Sequence, residues 1–545
     1  MKRVFSRLGN ALPCLILAVL CCSCVKQFSP QQAMSNPKIA GETKLMELLV
    51  AREHPLPTAL EPAQSTPSSE IGTVLLSLQE AVLSGLEHNQ TFQIERLKPT
   101  INRSAEEVER AAFDPLLNAS LSHGHGQDLA GGSGTTHTSS GSLGQSASSG
   151  NRESTKTALG LSQATQLGST IDLSAAQDTI TSPDATVSKS RQQNWDLTVT
   201  QSLLRGRGPD VTLARLRQSR LDTEISLFEL QGAAESLVAQ IEQGYWDYHL
   251  AGRSLAIYQQ SLAIASQQVD EVMERIKVGA LAESEAAAAE AEAAGRFQQF
   301  VTARGTLAKA RLTLLRLLNP GGNADWQAEL RLTESPEMAD MVVEAVEQHV
   351  TLALSQRADL NQARLLVQRR DLEVTQTKNG LLPKLDLFVS LGGSRYTNSF
   401  AGINDTPGNE TAYAGGLTLA LPVMNREAKA KHAAAGWSLD QANAALRNME
   451  QLVQVDVRSA HVDVEQAAAI VKAADATSRL REKTLALEQE KFRLGRSTTI
   501  LVAQAQRDLV ESQISQAKAV VGARKALLDL HRLEGSLLAH RGIVP

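Results

Sequence analysis

Cysteine is almost absent from this chain. All four cysteines (Cys14, Cys21, Cys22 and Cys24) lie at or before position 24, which excludes a disulfide framework for the rest of the sequence. Aromatic residues make up only 3% of the 545 residues. Ala, Leu, Gln, Glu and Arg dominate instead, a composition that favours long packed helices over a globular enzyme core. A strong charge of either sign is missing too. A net charge of −5 implies no bulk affinity for nucleic acid. Catalytic motifs are also lacking. "GRGPD" has no Gly-Lys-Ser/Thr ending and is not a phosphate loop, "GGSGTTHTSSG" is compositional bias, and no paired acid and base stand on a plausible scaffold. His123, His125 and His137 fall in a Gly/Ser-rich stretch with no carboxylate or Cys partner at ligand spacing, so they read as loop residues. No catalytic residue, cofactor or metal site is expected.

What the chain has is a duplication. "FDPLLNASLS" places Pro115 before an alternating segment, and "LLPKLDLFVS" places Pro383 before another, an offset of 268 residues (115 to 383). The same offset aligns Leu117, Ala119 and Leu121 with Leu385, Leu387 and Val389. Further on, Asp247 aligns with Asp463 and Gly279 with Gly495, now at 216 (279 to 495). The change in offset puts about 50 extra residues in the first half, between its strands. Repeats held in register over long segments imply a pseudo-symmetric architecture.

The N-terminus reads as an export signal. Lys2, Arg3 and Arg7 precede an apolar stretch from Leu12 to Cys22 that is too short to span a bilayer as a helix. It ends in "LCCSC", which resembles a bacterial lipoprotein signal. Cys24, preceded by Ser23, is the best lipidation site and Cys22 the second choice; an ordinary cleaved signal with incidental cysteines is the plain alternative. Residues 1–23 are thus assigned to the signal. Residues 24–72, rich in Pro, Ser, Gln and Thr, form a lipidated N-terminus and flexible tether.

Periodicity then gives two repeats. The first, 73–319, has an amphipathic helix near its start that continues to Phe113, with Pro99 expected to kink or interrupt it. Strands follow at 117–123 and 194–204, then long helices at 211–277 and 283–318. A connector covers 320–350. The second repeat, 351–536, has a helix, strands at 385–391 and 412–421, and long helices at 426–492 and 498–534, followed by a tail at 537–545. At 1.5 Å per residue a sixty-residue helix is a rod of roughly 90 Å. Two further alternating segments, "TALGLSQAT" and "STIDLSAAQ", look like a hairpin within 155–178.

Four strands per chain leave open edges, and a lipid bilayer does not tolerate unpaired backbone. If the strands enter a membrane, the chain must oligomerise. Three copies give twelve strands, with apolar residues toward lipid and polar residues toward a lumen. The fold class is therefore mainly α with a membrane β-barrel. A soluble four-stranded sheet capping a helical bundle is the alternative.

The order and spacing of "LSLQEAVLSGLEHN", "AAFDPLL", "QSLLRGRGPDV", "GYWDY", "ALSQRADLNQAR", "LLPKLDLFVS" and "LALPVMN" resemble the outer membrane efflux protein family of TolC type, in its lipoprotein-bearing branch. The tip segments "VGALAESEAAAAEAEA" and "LGRSTTILVAQAQ" also match. The resemblance covers about residues 74–536. It implies a homotrimer with a 12-stranded outer-membrane β-barrel and a long periplasmic α-helical barrel. It implies a palmitate-bearing lipoprotein in the Gram-negative outer membrane. The role implied is passive efflux transport through an exit duct, in partnership with a periplasmic adaptor (membrane fusion) protein and an inner-membrane pump. The rival reading is a periplasmic helical scaffold with no pore.

The resemblance also nominates residues. The adaptor-binding tips are Val278, Gly279 and Ala280 with Leu494, Gly495 and Arg496; helix C-capping is the plainer reading of the two glycines. Some family members place two carboxylates after the second tip glycine. Leu501 and Gln504 stand there in this chain, so an acidic ring at those positions is in doubt. Glu283 and Glu285 follow the first tip and are the alternative aperture residues, with Arg493 and Arg496 as partners across the tip. A constriction involving Leu501 is the rival gate. The segment 155–178 either adds spanning strands or lengthens the extracellular end; the extension is favoured because the family's barrel is otherwise complete.

Overall fold

The computed structural model describes residues 73–127, 151–181, 189–279, 281–318, 326, 329–336, 344–398 and 408–543. The signal and tether, with Cys22 and Cys24, lie outside the described residues, as do Ala280, His137 and most of the 320–350 connector. The elements below fall in one compact unit, Pro67–Arg541.

The chain opens with β1 (Thr73–Leu76), α1 (Leu78–His88) and α2 (Gln90–Ala111). Ser77 caps α1 through a capping box with Glu80, which satisfies two orphan donors at once. The break between α1 and α2 falls at Asn89, not at Pro99 as expected; α2 runs through Pro99. Asn89 accepts from the Phe92 amide and donates to the Leu317 carbonyl at 2.9 Å, so a tertiary contact fixes the break ten residues before the proline.

Four strands follow: β2 (Leu116–Gln127), β3 (Asn151–Ala164), β4 (Ser169–Thr181) and β5 (Lys189–Ser202). The short α3 (Pro209–Thr212) leads into α4 (Ala214–Lys277), and α5 (Ser284–Leu318) returns. The second half comprises β6 (Glu329–Leu332), α6 (Val346–Gln356), α7 (Ala358–Gly380), β7 (Lys384–Asn398), β8 (Gly408–Ala420), α8 (Arg426–Arg493), α9 (Thr499–Leu533) and α10 (Leu537–His540). The duplication is visible in the long helices. Helices α4 and α8 have 64 and 68 residues, and α5 and α9 have 35 each. At 1.5 Å per residue α4 is about 96 Å long.

The helices are held by a narrow stripe of small apolar residues. Val453, Val457, Ala460 and Val464 lie on one face of α8, at the i, i+4, i+7 spacing of a helix, and are buried against Val350 and Ala353 of α6 and Leu530 of α9. At the middle of α4, "GYWDY" is an anchor. The Tyr245 hydroxyl donates to the Leu76 carbonyl at 3.3 Å and the Tyr248 hydroxyl to the Leu330 carbonyl at 2.9 Å. These two bonds fasten the parallel pair β1–β6 onto α4. Lys525 of α9 reaches Asp247 of the same motif at 2.6 Å. Among the described residues no helix is long and apolar enough to cross a membrane.

The main sheet has six strands, in the order β2-β3-β4-β5-β7-β8, where the sequence led us to expect four. The hairpin at 155–178 is not an extension beyond the sheet. It forms β3 and β4; β3 pairs with β2 over residues 151–162, and β4 pairs with β5 along its whole length. The reason is physical: both hairpin strands alternate in phase with their neighbours, so insertion keeps apolar residues on one face and polar residues on the other. His123 lies in β2 as the expected strand 117–123 has it, and β2 extends past it to take in His125; His123 Nδ1 lies 3.0 Å from Thr155 Oγ1 of β3.

Candidate functional site

Two places carry the chemistry of this fold: the helix tips and the faces of the sheet. At the first tip, α4 ends at Lys277. The Val278 amide donates to the Glu274 carbonyl and the Gly279 amide to that of Ile276. At the second, α8 ends at Arg493, with Leu494 donating to Glu490, Gly495 to Phe492 and Arg496 to Lys491. Gly279 and Gly495 have φ of +73° and +71°, the left-handed conformation that lets a helix stop and turn. A Cβ at either glycine would meet open space, so backbone conformation and not packing within the chain demands glycine there. Val278 and Leu494 are 76% and 64% exposed. The turns are thus paired apolar knobs presented to solvent.

The fold sets these two tips near each other. The Arg275 guanidinium lies over the Phe492 ring, 5.2 Å from its centre. The sequence reading missed this cross-tip contact, although both residues precede their tip glycine by a few positions. The pairing expected across the tip is not made: Arg493 reaches Glu490 on its own helix at 3.8 Å, and no ion pair joins Glu283 or Glu285 to Arg493 or Arg496. Glu283 is exposed just before α5, and Glu285 sits in its first turn, where the helix dipole favours a carboxylate. Leu501 and Gln504 are both exposed in the opening turns of α9, whose start is capped by Thr498.

Near the far end of α9 is a cluster that no sequence motif announced. Glu534 is 1% exposed. It accepts from His349 at 2.6 Å, His531 at 2.8 Å and Ser536 at 2.7 Å. Burial pushes its carboxyl up, but the hydrogen bonds from His531, Ser536 and His349 outweigh it and bring the pKa down to about 2. His540 stacks on His531 with ring centres 4.0 Å apart, and its pKa is lowered, first by burial and then by the His531 charge. Glu534, His531 and His540 stand close enough to share one cation. The bonds from His349, His531 and Ser536 already satisfy the carboxylate, which makes the group a structural knot that ties α6, α9 and α10 together.

Across its middle rows the sheet alternates by face. One row across it reads Leu117, Leu161, Leu173, Leu197, Leu391 and Tyr413. The neighbouring row on the opposite face reads Asn118, Gly160, Ser174, Asp196, Gly392 and Ala412. An apolar face backed by a small and polar one is the pattern of a wall between lipid and water.

Residues 350–536 match the family model described as outer membrane efflux protein. The fold matches solved outer-membrane channels. The OprN channel superposes with a TM-score of 0.62 at 15% identity, over 84% of this chain and 90% of that one. The CmeC outer membrane channel of Campylobacter jejuni gives 0.61 at 14%, over 88% and 91%. The open state of the MtrE outer membrane channel of Neisseria gonorrhoeae gives 0.60 at 17%, over 84% and 89%. No curated protein sequence matches the chain significantly. Residues 350–536 thus resemble the outer membrane efflux protein family, and the fold of the chain is that of solved outer-membrane channels.

Proposed function

We propose that this protein is the outer-membrane exit duct of a tripartite export system. Three copies close their sheets into a barrel in the outer membrane, and their long helices continue the lumen through the periplasm. The chain is anchored by lipid at Cys24. An inner-membrane pump supplies the driving force, and a periplasmic adaptor docks on the tips formed by Val278, Gly279 and Ala280 with Leu494, Gly495 and Arg496. The duct itself is passive and needs no catalytic residue. Its aperture lies just beyond the tips, among Glu283, Glu285, Leu501 and Gln504.

The observation that carries this reading is the conjunction of an amphipathic sheet with two open edges and a pair of exposed, conformationally matched helix tips. A sheet whose apolar face is bare is unstable in water, and an open edge is unstable in lipid; closure with other copies in a bilayer resolves both. The test is export in cells lacking the native protein. Wild type should restore it. Gly279→Arg with Gly495→Arg should still assemble and reach the membrane but fail to export. Full export by that double variant would remove the tips from the docking role. A wild-type protein that never enters the membrane would remove the duct itself.

A further inference from the structure

From the six-stranded sheet we infer that the membrane barrel has eighteen strands, six from each of three copies, and a correspondingly wide pore. The inference rests on the duct reading and extends it.

The first support is strand length. A spanning β-strand needs about 9–11 residues, and β3 and β4 have 14 and 13. The second is face. Leu159, Leu161, Ile171 and Leu173 of the hairpin fall on the apolar face, in register with Leu197, Val199 and Leu391. Ser162, Asp172 and Ser174 fall on the polar one with Asp196 and Thr198. Strands beyond the bilayer have no reason to keep a row of leucines facing outward.

The third support is where the hairpin turns. Its loop, Thr165–Gly168, lies at the helix end of the sheet and not at the far end. The Gly208 amide donates to the Leu167 carbonyl at 3.2 Å, and the Ser202 amide to that of Gly168 at 3.2 Å. Thr212 bonds the Gln166 carbonyl as well. The hairpin therefore runs the full height of the sheet and is fastened beside the start of α4. Gly168, at φ +85°, permits this: a Cβ there would sit 2.2 Å from the Gly206 carbonyl oxygen.

The occupant of the open edges is a second copy of the same chain. Directions alternate along the sheet, so β2 and β8 run antiparallel to each other. The β2 edge of one copy therefore fits the β8 edge of the next. The flanks continue the match below the sheet. Helix α2, which leads into β2, exposes Ile94, Leu97 and Ile101; α8, which leaves β8, exposes Trp437, Val455 and Val462. The helix that continues the chain at each edge thus carries exposed apolar residues, as the flanks of a head-to-tail ring do. Barrel diameter grows roughly in proportion to strand number. The pore should be about one and a half times as wide as that of a twelve-stranded barrel.

The test is thiol labelling of the assembled trimer in outer membranes. Single substitutions Asp172→Cys, Leu173→Cys and Leu197→Cys would be probed with a water-soluble and a lipid-soluble maleimide. The inference predicts that Asp172→Cys reacts with the water-soluble reagent, while Leu173→Cys and Leu197→Cys lose that reactivity and take only the lipid-soluble one. If Leu173→Cys reacts freely from water while Leu197→Cys stays protected, the hairpin lies outside the wall. The eighteen-strand barrel is then wrong and the duct survives. If Leu197→Cys also reacts from water, no lipid-facing wall exists and the duct reading falls with it. A cross-section image of the same trimer should count eighteen strands; twelve would overturn the inference.

Discussion

Glu235 offers the sharpest test of how the helices pack. It lies on α4, 6% exposed, with Gln231 donating to its carboxylate at 3.3 Å. Burial is the main reason its pKa rises from 4.5 to about 7; the Gln231 hydrogen bond and the charges of Arg357 and Arg532 oppose the rise, and Asp359 adds to it. The folded chain therefore binds a proton that the unfolded chain has released. Stability from this group is full below pH 4.5, falls as the pH rises toward 7, and is constant above it. A shift of 2.5 units (4.5 to about 7) at 1.36 kcal/mol each is worth about 3 kcal/mol per chain. Glu235→Gln removes the titration and keeps the shape. Denaturant unfolding of wild type and variant should differ by a constant amount below pH 4.5. The variant should then gain on wild type by about 3 kcal/mol between pH 4.5 and 8. A difference independent of pH would refute the assigned burial and the packing of α4 with it.

The Glu534 cluster should behave in the opposite sense. Its folded pKa of about 2 lies below the ordinary 4.5, so its contribution is full above pH 4.5 and is lost as the pH falls to 2. The stability gap between wild type and Glu534→Gln should shrink over that window in acid unfolding, and a gap that widens would contradict it. Gly168→Val should detach the hairpin loop from Gly206, leaving β3–β4 more open to protease than in wild type while the helices stay folded; equal cleavage rates would count against the fastened turn. Cys24→Ala should abolish palmitate labelling, and retained labelling would move the lipid to Cys22 or another cysteine.

Much of the fold was legible because its signals are local. The 3.6-residue period and the near absence of breakers mark the long helices, and Gly279 and Gly495 mark their ends. Alternation at Leu385, Leu387, Val389 and Leu391 assigns one face of β7, and register with Leu417 and Leu419 of β8 keeps that face apolar. What escaped is long-range. Alternation tells which face Leu161 and Leu173 occupy but not which strands they join, so the sequence favours an extracellular extension and the pairing with β2 and β5 is visible only in the fold. Pro99 does not set the helix break, because the Asn89–Leu317 bond that does joins residues 228 apart. The Glu534 knot draws on His349, 185 residues away, and forms no motif. At the tips the backbone conformation was readable from two glycines, whereas the Arg275–Phe492 contact depends on the two hairpins lying side by side.

The central claim, a hollow trimeric duct through the outer membrane, is tested most directly by single-particle imaging of the detergent-extracted protein with its mass measured in parallel. The account predicts a three-fold ring of strands that closes on itself and opens into a hollow helical shaft. A monomer, or a solid rod that stays soluble without detergent, would contradict it and favour a periplasmic scaffold.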